Sequence, residues 1–297
     1  MHLTDADVRR LLTWDALIPA MRAALADFSA GKAVQPVRTT IPVPGADGWL
    51  FVMPAYSANP PALGAKLVSY YPKNTGMGTH FATIQMFDAT NGAPQLSMDA
   101  TLVTEMRTAA VSAVSVESLA RKDARRLAIL GAGVQARSHL AALRHLREYD
   151  DVRVWSPRSA AAFAREHGVT AAPSARACVE GADVIVVATT SNVPVLGGAW
   201  VSDGAHVVSV GAAISDWREL DDAFVQRATV FVDSRAGAQV ESGDVIAAGR
   251  IDAELGEVLL GRHPGRTSAG EVTWFKSLGM AVEDVVAAEL VRAAAAK

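Results

Sequence analysis

The stretch Leu127-Ala128-Ile129-Leu130-Gly131-Ala132-Gly133-Val134-Gln135-Ala136 decides the fold. Four apolar residues run straight into a G-x-G-x-x-A turn. Ala136, Leu140 and Leu143 then fall at i, i+4 and i+7, one face of a helix. Strand, glycine turn and helix stand in the order that a dinucleotide-binding βα unit requires. The first glycine permits the tight turn, and the second lets the backbone approach a pyrophosphate. The small third residue lets helix and strand pack closely. The helix N-terminus adds open N–H groups and the positive end of a dipole.

Outward from this stretch, short β-branched runs continue: Val152-Arg153-Val154-Trp155, Val184-Ile185-Val186-Val187, Val207-Val208-Ser209-Val210 and Val230-Phe231-Val232. Runs this apolar fit strands covered on both faces by crossover helices. Residues 159–167 and 174–180 between them are helix-like. The repetition predicts a doubly wound α/β domain, and an ordinary glycine-rich turn would not bring those strands with it.

The residues before it have another texture. A helical stretch over 6–30 is expected to be interrupted at Pro19. Strand-like segments follow at 38–43, 49–53, 65–70 and 82–87, with Asn91-Gly92 as a hairpin turn and a long Ala/Val helix over about 102–119. This reads as an α+β domain with a mostly antiparallel sheet. The tail, 280–297, is a further Ala/Val helix that could return to either domain.

The 297 residues suit two domains at about 150 residues each. The formal charge of −3 gives no excess of Lys and Arg for a nucleic-acid surface. The single cysteine, Cys178, excludes an internal disulfide and a Cys-based zinc site. No apolar run approaches the roughly 18 residues of a membrane span. The opening Met1-His2-Leu3-Thr4-Asp5 has no basic segment followed by an apolar one, so a cytoplasmic protein is expected. The seven histidines show no pair at i and i+4 for a metal, and neither a G-x-S-x-G elbow nor a Walker A motif is present.

After Val152–Trp155 the chain reads Ser156-Pro157-Arg158-Ser159, with no carboxylate to accept from a ribose hydroxyl. An arginine with hydroxyls suits a 2′-phosphate, so NADPH is preferred over NADH. Three cations keep apolar company. Lys66 lies inside Ala65-Lys66-Leu67-Val68, Arg107 shares a helical face with Val103, Val111 and Val114, and Arg38 sits in a strand-like run beside prolines. Each could be an internal ion pair or a side chain snorkelling to water. Together they suit a site for a small acidic molecule, with a guanidinium gripping a carboxylate and a desolvated lysine moving a proton. His80 is a further candidate for that site.

Longer segments add to this. Val34-Gln35-Pro36-Val37-Arg38-Thr39, Arg107-Thr108-Ala109-Ala110-Val111-Ser112-Ala113, Asp216-Trp217-Arg218-Glu219-Leu220-Asp221-Asp222, Glu241-Ser242-Gly243-Asp244-Val245 and Phe275-Lys276-Ser277-Leu278-Gly279-Met280-Ala281-Val282-Glu283-Asp284 are far more specific than the glycine motif. In these, and over nearly its whole length, the chain resembles the ornithine cyclodeaminase/mu-crystallin family, and within it the mu-crystallin branch of ketimine reductases. The resemblance implies a substrate-binding and dimerisation domain over residues 1–122 and 277–297, and a Rossmann dinucleotide-binding domain over 123–276. It implies a homodimer. It carries Arg38, Lys66 and Arg107 into the substrate site, with His80 in reserve as a proton donor. It carries Thr79, Arg107, Gly131, Ala132, Gly133, Val134, Gln135, Ser156, Pro157, Arg158, Thr189, Thr190, Val210, Lys276 and Ser277 into contact with the cofactor.

The two carboxylates that cyclodeaminases keep fall by this resemblance at Phe51 and Ala213, neither of which accepts a proton. The implied activity is therefore NADPH-dependent reduction of a cyclic ketimine carboxylate, such as Δ1-piperideine-2-carboxylate or Δ1-pyrroline-2-carboxylate, to L-pipecolate or L-proline. The alternatives are an L-amino-acid dehydrogenase or reductive aminase on the same scaffold, and a non-catalytic binding protein.

Overall fold

The computed structural model describes residues 2–296. Met1 and Lys297, the outer ends of the expected first domain, lie outside the described residues. The chain divides into two compact units, Met1–Arg107 with Gly279–Lys297, and Thr108–Leu278. The expectation placed the breaks at 122/123 and 276/277. Contacts divide the long helix itself and give residues 277 and 278 to the second unit.

The first unit is built on a seven-stranded sheet. Its elements are β1 (His2–Leu3), α1 (Asp5–Leu11), α2 (Trp14–Ser29), β2 (Ala33–Val34), β3 (Thr39–Val43), β4 (Gly48–Ala58), β5 (Pro61–Tyr70), β6 (His80–Phe87), β7 (Pro94–Asp99) and the start of α3 (Thr101–Leu119). The strand order is β1-β7-β6-β5-β4-β2, with β3 also pairing β4. Only β1 runs parallel to its neighbour. Alternation along the strands buries Met53, Ala55, Val68, Ile84, Met86, Leu96 and Met98 on one face. The C-terminal helix, Ala281–Ala295, packs on α2, β4, β5 and β6 and so belongs to this unit.

The expected interruption at Pro19 is not there. α2 runs through Pro19, and the break falls at Leu12 and Thr13, both extended. Thr13 is the N-cap of α2, and buried Leu17, Ile18, Met21 and Leu25 anchor the helix on the core. Their packing outweighs the one hydrogen bond that the proline removes.

The second unit carries an eight-stranded sheet. Its strands are β8 (Arg126–Leu130), β9 (Asp151–Trp155), β10 (Thr170–Ala171), β11 (Val184–Val187), β12 (His206–Ser209), β13 (Thr229–Val232), β14 (Ala253–Glu254) and β15 (Thr273–Lys276). Its helices are α4 (Val134–Leu146), α5 (Ala160–His167), α6 (Ala175–Val179), α7 (Asp222–Arg227), α8 (Arg235–Glu241), α9 (Gly243–Ala248) and α10 (Leu255–Leu259), which leaves the C-terminal helix as α11. The order is β10-β9-β8-β11-β12-β15-β13-β14, and every pairing is parallel. The chain thus reverses direction of growth between β8 and β11, the switch point of a doubly wound sheet.

Register places Trp155, Leu130, Val187, Ser209 and Lys276 in one row, the last residues of five adjacent strands. The glycine turn and the residues that follow β9, β11, β12 and β15 therefore all emerge at one edge of the sheet. Among the described residues no helix is long and apolar enough to cross a membrane.

Candidate active site

In the first unit, Lys66 occupies a row of side chains on the covered face, Met53–Lys66–Ile84–Met98, in which the other three are apolar. It is only 1% exposed. Its Nζ lies 2.7 Å from Asp284 Oδ2, and Arg107 Nε donates to Asp284 Oδ1 at 2.9 Å. Arg107 Nη1 donates to Glu283 at 3.1 Å. Both carboxylates stand in the first turn of α11, where the helix dipole favours negative charge, and both are fully buried. Arg38, half-buried just before β3, donates to the carbonyl of Gly279 at 3.3 Å and lies 5.9 Å from the centre of the Phe51 ring. Gly279 holds φ +79°, and a Cβ there would come within 2.3 Å of Arg107 Nη1.

Burial pulls the Lys66 ammonium down from 10.5 to about 8; Asp284 opposes this, while Arg107 and Arg38 add to it. Burial alone would raise the Asp284 carboxyl, but Arg107 and Lys66 outweigh it and hold the group below its ordinary range. Lys66 and Asp284 therefore stand as an ion pair near neutral pH. His80, at the start of β6, stacks on Tyr70 with ring centres 4.3 Å apart, and its Nδ1 is 3.0 Å from Thr79 Oγ1. Desolvation of the ring and the nearby Lys66 lower its pKa.

In the second unit, Gly131 holds φ +113°, and a Cβ there would come within 2.2 Å of the Ala188 carbonyl oxygen. Gly133 caps α4, which has no side-chain cap and no acid in its first turn. Its open N–H groups are suited to a phosphate. Ser156, Pro157 and Arg158 follow β9 beside this turn, with Pro157 and Arg158 exposed. Gln135 Oε1 and Ser277 Oγ are buried polar atoms with no hydrogen-bond partner among the described residues. A glycine cradle, an open helix N-terminus and two orphaned polar atoms at one sheet edge fit a dinucleotide.

The sequence-predicted residues thus fall into two groups. Lys66, Arg107 and Arg38 come together in the first unit. His80 and Thr79 are there too, but His80 pairs with Tyr70, four positions from the Lys66–Ile84 pair, about 13 Å along the sheet. Gly131, Ala132, Gly133, Val134, Gln135, Ser156, Pro157, Arg158, Thr189, Thr190, Val210, Lys276 and Ser277 gather at the carboxyl edge of the second sheet. Lys276 is fully buried, and its Nζ bonds the Gly211 carbonyl and lies 3.8 Å from Asp244 Oδ2.

Sequence reasoning missed the counter-charges. Glu283 and Asp284 have no basic residue three or four positions away on their own helix, so their partners had to come from elsewhere. That absence was the available signal. It also missed Glu219, fully buried at the carboxyl edge. Glu219 Oε1 accepts from Thr189 N at 2.9 Å and Thr189 Oγ1 at 2.6 Å, and burial pushes its carboxyl up to about 7.

The ornithine cyclodeaminase/mu-crystallin family profile matches residues 1–297. The chain belongs to this family. The ketimine reductase mu-crystallin of Macropus fuliginosus is 45% identical over 301 residues, covering 97% of this chain and 95% of that protein. The family fold is matched by the Δ1-pyrroline-2-carboxylate reductase of Thermococcus litoralis, solved with NADH and L-proline, at TM-score 0.95 and 37% identity, covering 100% of this chain and 97% of that one. An archaeal alanine dehydrogenase, solved as a dimer with bound NAD, superposes at TM-score 0.93 and 30% identity, covering 100% and 96%.

Proposed function

We propose that this chain reduces cyclic ketimine carboxylates of the Δ1-piperideine-2-carboxylate and Δ1-pyrroline-2-carboxylate class, with a nicotinamide dinucleotide and a preference for NADPH. The observation that carries the reading is the buried Lys66–Asp284–Arg107 cluster with Arg38 beside it. Charged groups this deep are costly unless they are paired, and a site keeps them where it must meet an anion. Relatives named for reduction of C=N carboxylates support the same reading.

Arg107 is fixed by Asp284 and Glu283, so its guanidinium meets a ligand carboxylate already oriented. Arg38, half-buried and donating to the Gly279 carbonyl, supplies a second cation for the same anion. Lys66, charged below about pH 8, orients the imine nitrogen and gives it the proton that makes the adjacent carbon electrophilic. When bound, the reduced dinucleotide supplies the hydride. Gly131 to Gln135 hold its pyrophosphate, and Arg158, with no carboxylate at the end of β9, favours the 2′-phosphate. Turnover is expected to fall as pH rises through about 8, because the working form of Lys66 is the protonated one.

We take the protein to be cytoplasmic and a homodimer formed through the open face of the first sheet. There Ile41, Leu67 and Phe81 are 45%, 41% and 48% exposed, and Leu50, Val52 and Leu63 are half-buried. An apolar sheet face of this kind fits a second copy of itself.

The test is oxidation of NADPH and NADH against both imines, with an ornithine ammonia-release control. Imine-dependent oxidation, faster with NADPH, is expected, and Lys66→Met should cut it by about 100-fold or more while the cofactor still binds. Undiminished turnover in Lys66→Met removes the lysine from the mechanism. The likeness to alanine dehydrogenase favours a second reading, oxo-acid amination. Oxidation with pyruvate that depends on added ammonia and exceeds the imine rate would establish it instead.

A further inference from the structure

The proposed reaction uses Lys66, Arg107 and Arg38, and gives the carboxylates of α11 a task toward Arg107 but none toward Lys66. Cations gathered in a buried place repel one another, and a lysine among arginines tends to shed its proton. The charged and titratable groups facing Lys66 are Asp284 and Glu283 from α11, Arg107 from α3, Arg38 from the segment before β3 and His80 from β6. Its cross-strand neighbours, Met53 and Ile84, are apolar and contribute no screening. Asp284 meets both inner cations at once, Oδ2 against Lys66 at 2.7 Å and Oδ1 against Arg107 Nε at 2.9 Å. The helix that carries it is packed on the strand that carries Lys66.

We propose that Asp284 is the positioning residue of this site: one carboxylate fixes Lys66 and Arg107 relative to each other and keeps Lys66 charged among its cationic neighbours. Asp284 then sets the pH range in which the lysine can deliver a proton, without itself touching the substrate. The activity part of this inference rests on the reductase reading; the titration part does not.

The experiment is a titration of the full chain labelled with [ε-13C]lysine, from about pH 6 to 11. The chain has six lysines, and the Lys66 resonance is the one lost in Lys66→Met. In the wild type it is expected to titrate near pH 8. In Asp284→Asn the midpoint should fall by about one unit or more, and the alkaline limb of kcat should move with it. Asp284→Glu keeps the charge on a longer arm. It should hold the midpoint within about half a unit of the wild type while KM for the imine rises several-fold.

An unmoved midpoint in folded Asp284→Asn overturns the proposal. So does a wild-type KM in Asp284→Glu, which remains a test where the asparagine variant does not fold. If the midpoint shifts but no imine is reduced, the reductase reading fails and the role of Asp284 toward Lys66 stands. If imine is reduced and the midpoint does not shift, the outcome is the reverse.

Discussion

Gly279 sits where the chain turns into α11, at φ +79°, with its Cα against the Arg107 guanidinium. Gly279→Ala is expected to strain the backbone and push Arg107 off its carboxylates, costing about 1–3 kcal/mol of stability and raising KM for the imine. Urea denaturation and steady-state kinetics check it, and an unchanged KM would show that the close approach does not matter. At this scale the sequence was half legible. Lys66 and Arg107 stand out because apolar neighbours make a permanent cation anomalous. Of the two expectations for Lys66, the internal ion pair is present and is what lets the cation stay buried, and it leaves room for the proposed role toward substrate. Asp284 and Glu283 did not stand out: their place on an apolar helix, with no basic residue three or four positions away, was a signal, but their partners lie more than 170 residues away in the chain and no local pattern identifies them.

Among the elements, the glycine turn after β8 tolerates no side chain at Gly131. Gly131→Ala should weaken dinucleotide binding by about tenfold or more, read from quenching of nucleotide fluorescence, while unchanged affinity in a folded variant would contradict the cradle. Arg158→Ala tests the loop after β9: KM for NADPH should rise several-fold and that for NADH should stay put. Equal effects on both would leave the 2′-phosphate role without support. Strands β8, β9, β11, β12 and β13 were legible because buried parallel strands are nearly uniform in β-branched residues. β15 was not picked out, although it lies between β12 and β13 with all four residues buried. Its Thr-Trp-Phe-Lys mixes two aromatics with a polar and a charged end, and buried partners make those residues acceptable in a core: Trp274 Nε1 donates to Ser209 Oγ, Thr273 meets His206 and Arg266, and Lys276 meets Gly211 and Asp244.

The whole molecule carries its pH dependence in buried groups. Burial holds His139 down to about 4 and His206 down to about 3, the latter helped by Arg266 and Arg147. Unfolded histidine takes up a proton near 6.5, so the stability these two contribute is complete above that pH and is lost as pH falls toward their folded values. Glu219, raised to about 7, acts the other way: its contribution fades as pH rises from the ordinary carboxyl range through 7. Each histidine has lost about 2 kcal/mol of that contribution by pH 5. The wild type should therefore lose stability between pH 6.5 and 5, and His139→Gln, weaker at pH 8 for want of its Ser112 and Gln135 bonds, should lose less over that interval. Equal slopes in urea denaturation would contradict this. If the proposed homodimer forms through the open sheet face, the wild type should sediment as a dimer and Leu67→Arg as a monomer; a dimeric Leu67→Arg would contradict that interface. The central claim is that a hydride passes from a reduced nicotinamide dinucleotide to the carbon of an anionic imine. NADPH carrying deuterium at both C4 positions, incubated with Δ1-piperideine-2-carboxylate and the protein, tests it most directly. One deuterium at C2 of the L-pipecolate formed, seen by mass spectrometry, is the predicted result, and pipecolate without the label, or no pipecolate at all, would contradict it.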